Sequence, residues 1–174
     1  HQGDLSALTA MSDIALTQGP AVCAVFTRLE VARRLGIEKA LGTHQNGKLA
    51  LWQVIARAHS QGSRLSAVRL AKTTAAADII DFAQGFCEDN LYENLTWLCE
   101  NQEAIEKRLF AFRRGQSKPE LFLYDVTSSY LEGDHNALAD WGYNRDKKRC
   151  KKQIVIGLLC DEGGEPVSVE VFVG

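Results

Sequence analysis

The run Leu121-Phe122-Leu123-Tyr124-Asp125-Val126-Thr127 sets one carboxylate in an apolar, β-prone segment. Aspartate is depleted in strands, and an uncompensated buried charge is costly. Asp125 therefore calls for a charged partner, a hydrogen-bond network or a metal. Period-two alternation places Leu121, Leu123 and Asp125 on one face and Phe122, Tyr124 and Val126 on the other. A strand predicted over 121–126 leaves Asp125 at its end, within reach of solvent or an ion. Two roles fit it. A carboxylate on a rigid strand can help hold Mg²⁺, which takes hard oxygen ligands. In two-metal phosphoryl transfer such ions, about 3.5–4 Å apart, activate the attacking oxygen and stabilise the leaving one. Alternatively, Asp125 closes an Asx-turn onto the amides of Thr127 or Ser128 and begins a loop.

A second constellation is cationic. Arg145, Lys147, Lys148, Arg149, Lys151 and Lys152 are six of the 20 Lys and Arg, with Asp146 the one acid among them. The rest of the chain holds 14 basic and 21 acidic residues, so a cationic patch sits on an acidic body of net charge -2. That asymmetry suits contact with a polyanion at one place. The run could neutralise DNA phosphates beside Asp125, with Trp141 and Tyr143 stacking on an unpaired base. Lys and Arg in a loop more often position the backbone than read bases. The plainer reading is a solvated loop anchored by Trp141. Arg57, Arg64, Arg69 and Lys72 flank the turn Ser60-Gln61-Gly62-Ser63. They fit either a helix-turn-helix over Leu49 to Ala71 or two packed helices with solvated cations.

Other chemistries are disfavoured. The five cysteines are odd in number and form no CxxC, against a disulfide framework or zinc knuckle; free thiols in a reducing cytosol are expected. His44 and His135 fall in loops without metal-ligand spacing, and His59 is expected at the edge of an apolar stripe. Gly163-Gly164 marks a turn rather than a phosphate loop, because no GK[ST] follows. There is no signal-peptide pattern and no 18-residue apolar run, so no membrane partner is expected.

The elements that position these residues change character along the chain. Residues 1–116 read as a helical domain, suited to DNA binding or dimerisation, and 119–174 as mainly β, with Gln116 to Pro119 as linker. A first helix would line Val22, Phe26, Leu29 and Arg33 along one side and stop at Leu35-Gly36. A short turn of helix follows over 37–41, then a polar loop from Thr43 to Gly47. Leu49, Trp52, Ile55, Ala56 and His59 recur at helical spacing up to Gly62. Residues 63–72 are basic and amphipathic. Thr73 or Thr74 could cap a helix through Phe82, and Asp89 one carrying Leu91, Leu95 and Leu98. Ile105, Leu109 and Phe112 mark a last helix ending at Gly115. Strands are expected over 121–126, 154–159 and 167–173, the last two joined by a hairpin turn at 161–166, with a long polar connection over 127–152. Helices followed by strands imply an α+β fold. Three strands rarely form a stable core alone, so the sheet should pack on the helices, on another chain, or both.

The ordered set Tyr124-Asp125-Val126-Thr127, Leu131-Glu132-Gly133, Gly142-Tyr143-Asn144-Arg145-Asp146, the basic run, Gln153-Ile154, Gly157-Leu158-Leu159, the Gly-Glu-Pro turn and Glu170-Val171-Phe172-Val173-Gly174 resembles the start of the catalytic domain of DDE-type bacterial insertion-sequence transposases. The insertion-sequence-four group is the nearest likeness. Leu35-Gly36-Ile37, Leu91-Tyr92 with Leu95 and Leu98, and Ile105-Glu106 with Leu109 more weakly resemble its helical N-terminal region. The resemblance implies an RNase H-like fold, of which this chain carries the first three antiparallel strands. It implies Mg²⁺ or Mn²⁺ as cofactor, transposon-end and target DNA as partners, a possible homodimer, and a bacterial cytoplasmic, nucleoid-associated setting. Asp125 would be the first of three metal-binding acids. The other two belong to segments that do not occur here, so the chain is expected to be a fragment, inactive alone. Glu132, Asp134, Asp140 and Asp146 lie in the loop and are not assigned to the triad. The alternatives are a non-catalytic DNA-binding or oligomerisation module and an RNase H-like nuclease.

Overall fold

The computed structural model describes residues 18–83, 85–115, 121–133, 135–142 and 151–174. Among them, seven helices precede three antiparallel strands, an α+β arrangement. The helices are α1 Cys23–Arg34, α2 Ile37–Leu41, α3 Gln45–His59, α4 Arg64–Thr73, α5 Ala76–Ile80, α6 Glu88–Glu100 and α7 Gln102–Arg114. The strands are β1 Phe122–Tyr130, β2 Gln153–Asp161 and β3 Pro166–Val173.

Helix α1 buries Val25, Leu29 and Ala32, an i, i+4, i+7 stripe. The expected stripe is corrected by this: Val22 and Phe26 are exposed, and only Leu29 faces inward. Gly36, at φ 76°, ends the helix in the left-handed conformation that glycine reaches without strain. The polar loop expected over 43–47 is already helix from Gln45, with the His44 side chain accepting the Gly47 amide as cap. Thr73 and Thr74 bond back to the Leu70 carbonyl instead of capping α5, and the N-cap of α6 is Cys87 rather than Asp89.

The core lies where α3 crosses its neighbours. Leu49, Ala50, Leu51, Trp52, Ile55 and Ala56 of α3 are all buried, so this helix is apolar around most of its girth. Trp52 is fully buried and packs against Phe82, with ring centroids 5.9 Å apart. His59, expected at the core edge, is exposed at the end of α3. A buried amide network crosses from α3 to α6. Gln53 Nε2 donates to Asn94 Oδ1 at 2.9 Å and to the Leu91 carbonyl at 3.2 Å, while Asn94 Nδ2 donates to the Asn46 carbonyl at 2.9 Å. Asn94→Ala would strip the Gln53 amide and a helix carbonyl of a partner in a site from which water is excluded. A loss of about 1–3 kcal/mol is expected in urea unfolding, against near neutrality at exposed Tyr92.

The sheet order is β1-β2-β3. β1 pairs with β2 from Phe122↔Asp161 through Asp125↔Leu158 to Tyr130↔Gln153. β2 pairs with β3 from Ile154↔Val173 to Leu159↔Ser168, with a bulge before Cys160↔Pro166. Gly157 lies beneath Tyr124, whose hydroxyl would stand 2.1 Å from an added Cβ, so a side chain there would displace the ring.

Sheet and helices meet along α7. Val169, on the outer edge of β3, donates its N–H to Glu106 at 3.1 Å, its carbonyl accepts from Gln102 Nε2 at 2.6 Å, and Ser168 donates to Glu106 at 2.8 Å. Side chains of α7 thus cover an edge that would otherwise present unpaired backbone groups. At the hairpin, Asp161 Oδ1 accepts the amides of Gly163 and Glu165, and Arg114 pairs with Asp161 at 3.3 Å and Glu162 at 2.5 Å. Burial alone would push the Asp161 carboxyl up. The Glu165 and Gly163 amides, and then Arg114, outweigh it and hold the carboxyl below its usual range. Arg114 likewise lowers Glu162. Depressed carboxyls stabilise the fold above their unfolded values, about 3.9 and 4.3, and lose that contribution as pH falls through the folded ones. The melting advantage of the native chain over Arg114→Ala is therefore expected to stay level from neutral pH to about 5 and to shrink below about 4. Thermal melts across that range check it.

Candidate functional site

β1 runs on to Tyr130, so Asp125 is the fourth residue of a nine-residue strand, not its end. The extension comes from pairing: Thr127, Ser128 and Ser129 have weak apolar content but complete the ladder opposite Ile156, Val155 and Ile154. Asp125 is exposed, and its Oδ1 accepts the Val126 amide at 2.9 Å. The Asx-turn onto Thr127 or Ser128 does not form, because both residues are within the strand.

Residues paired across antiparallel strands share a face. Asp125 therefore lies in a row with Leu158 and Val169, between the rows Leu123–Cys160 and Thr127–Ile156–Val171. No second carboxylate stands in those rows. Glu170 belongs to the row Val126–Gly157–Glu170 on the opposite face, and Asp161 pairs with Phe122 on that same side. Asp125 has no ion pair, and no group of three His, Cys, Asp or Glu comes together as a metal site, among the described residues. Magnesium demands near-octahedral oxygen coordination, usually with more than one protein or substrate donor beside its waters. The described rows around Asp125 supply a single carboxylate, among Leu123, Leu158, Ile156, Val169 and Val171 with Cys160 and Thr127. They do not by themselves complete a site for the Mg²⁺ or Mn²⁺ that the resemblance implies.

Of the six cationic residues assigned to DNA, Arg145, Lys147, Lys148 and Arg149 lie outside the described residues, as do Tyr143, Asp134 and Asp146. Lys151 forms an ion pair with Glu132, closing the base of the connection between β1 and β2. Lys152 is exposed, and its carbonyl accepts the Leu131 amide at 2.9 Å. The expectation that the run stands beside Asp125 is corrected for these two residues. They precede Gln153, and Gln153 is five residues along β2 from Leu158, about 17 Å at the usual rise per residue. Trp141 is 62% exposed at the root of the undescribed segment, free to stack. Asp140 is tied to Gln153 by two backbone hydrogen bonds, and its Oδ1 accepts the Trp141 amide.

Asp161, the buried acid of the hairpin, carries little signal in the sequence. The only trace was its place before Glu-Gly-Gly-Glu-Pro, a usual Asx position. Its bonds to two amides and to Arg114 give it a structural role. No helix among the described residues is long and apolar enough to cross a membrane. Among known proteins, no family model, curated protein or solved structure matches the chain.

Proposed function

We propose that this chain is part of a DDE-type transposase of the insertion-sequence-four kind, contributing the helical N-terminal region and the first strands of an RNase H-like catalytic sheet. The observation that carries the reading is Asp125: an exposed carboxylate, without a cation partner among the described residues, in the middle of a strand and in one row with the aliphatic Leu158 and Val169. A rigid β-ladder fixes such a group better than a loop can. The ordered motifs around it supply the family. On this reading Asp125 is one of three acids that bind Mg²⁺ or Mn²⁺, and the other two come from outside the described residues. The metals would supply activation of the attacking oxygen during DNA cleavage and strand transfer. Transposon-end and target DNA are the partners, a homodimer is the working assembly, and the bacterial nucleoid is the setting. The run 145–152 contacts DNA phosphates, and its described members Lys151 and Lys152 stand at the start of β2.

A second reading has one observation in its favour. β1 is an edge strand of the described sheet, and a charge on an edge strand deters edge-to-edge pairing. Asp125 would then guard against aggregation in a non-catalytic module. The two readings separate in a cleavage assay on transposon-end DNA with the complete protein: Mg²⁺-dependent strand cutting that requires Asp125 supports the transposase, and cutting indifferent to Asp125 removes it.

A further inference from the structure

Charge falls in two blocks along the helical half. Residues 39–72 hold six Lys and Arg and no acid, and residues 73–106 hold eight Asp and Glu and no Lys or Arg. In the fold, members of the two blocks stand on opposite sides of one open groove. The groove runs between α3 with the start of α4 on one side and α6 on the other, and has a volume of about 790 Å³. Val54 of α3 and Tyr92, Leu95 and Leu98 of α6 give it an apolar lining; Val54 and Tyr92 are exposed and the two leucines half-buried.

Arg57 and Arg64 form its basic wall, with Arg57 held there by its bond to the Gly62 carbonyl at 3.1 Å. On the other side, Glu88, Asp89 and Glu100 lie within about 80° of Tyr92 around α6, and none of them is buried. No ion pair joins the two walls among the described residues. An apolar strip rimmed by charge marks a docking surface. Its occupant must be apolar along the middle, acidic where it meets Arg57 and Arg64, and basic where it meets α6. The acidic margin repels polyanions, which disfavours a nucleic acid or an anionic membrane here. A second copy of this chain has the required pattern. A twofold axis through the apolar strip lays the basic wall of each copy on the acidic wall of the other.

We propose that the groove between α3, α4 and α6 is an isologous dimer interface, with Val54, Tyr92 and Leu95 packed at its centre and Arg57 and Arg64 of each copy on the acids of α6 in the other. The inference gives a surface to the homodimer of the transposase reading, and rests on that reading for nothing else, since neither Asp125 nor DNA enters it.

The test is the mass of the 174-residue chain in solution, measured by analytical ultracentrifugation across a concentration series. The native chain should show a monomer–dimer equilibrium. Tyr92→Ala, near neutral for the fold of a single copy, should weaken dimerisation about fivefold or more, as loss of a central interface tyrosine does. Arg57→Glu/Arg64→Glu makes both walls acidic, and Glu88→Lys/Asp89→Lys/Glu100→Lys makes both basic, so each variant alone should be monomeric. Mixed in equal amounts they should form a heterodimer, because each wall again meets its opposite. That rescue separates lost pairing from a lost fold. A monomeric native chain, a dimer that Tyr92→Ala leaves unchanged, or a mixture that stays monomeric overturns the interface and leaves the reading of Asp125 standing. A dimer governed by the groove beside cleavage indifferent to Asp125 keeps the interface and removes the transposase.

Discussion

Asp125→Asn in the complete protein is expected to abolish Mg²⁺-dependent cleavage of transposon-end DNA while leaving the fold unchanged. The neutral amide is a much poorer ligand for a hard cation than the carboxylate. A metal contributes several kcal/mol of transition-state stabilisation, and each ~1.4 kcal/mol is tenfold in rate, so the loss should be about 10²–10⁴. Folding should be indifferent for three reasons. The side chain is exposed, it has no ion pair among the described residues to lose, and an Asn oxygen can still accept the Val126 amide. A surface exchange of this kind changes stability by no more than about 0.5 kcal/mol. Thermal melts with and without Mg²⁺, beside the cleavage assay, give both halves of the result. Retained cleavage together with concentration-dependent self-association would instead identify Asp125 as a guard of the strand edge.

Trp52→Ala should be the most damaging single change to the helical half. Trp52 is fully buried in α3, against Phe82 and the centre of the core. Truncating a buried aromatic costs about 3–5 kcal/mol, through lost burial and the cavity that remains. Natural domains are stable by only about 5–15 kcal/mol, so much of the folded population is at stake. Trp52→Phe should cost clearly less. The indole Nε1 is buried without a hydrogen-bond partner, so removing it breaks no bond and relieves a desolvated donor. Urea unfolding of the two variants checks the order. An equal loss in both would mean that shape, not volume, sets the packing at this site.

The joint between helices and sheet governs how such a protein can work. Among the described residues the two meet through polar side chains of α7 on β3 and its hairpin, and the buried apolar cluster holds residues of the helical half alone. The remaining sheet surface is open: Leu121, Leu123, Val126, Val171 and Val173 are among its exposed apolar residues. Aliphatic area of this extent calls for cover in the working protein.

The order of elements was legible in the sequence because it rests on local rules. The switch from a 3.6 to a 2.0 apolar period marks helices before strands, Gly36 and Gly115 stop two helices, and Asp161 to Pro166 closes a hairpin. Asp125 stood out for an equally local reason, a charge in a β-prone apolar run. What escaped depends on contacts between segments. β1 continues through Thr127-Ser128-Ser129 because β2 offers it a ladder, which moves Asp125 from a strand end to mid-strand. Val22 and Phe26 match the helical period as well as Val25 does, and only packing against α2 and α3 selects Val25. Lys151 and Lys152 are near Asp125 in motif order but lie beyond Gln153, itself about 17 Å along β2 from the partner of Asp125, because distance is set by register, not by motif order. The pairing of Arg114 with Asp161, and the absence of any second acid in the rows around Asp125, are likewise products of register and of the side chains it brings together.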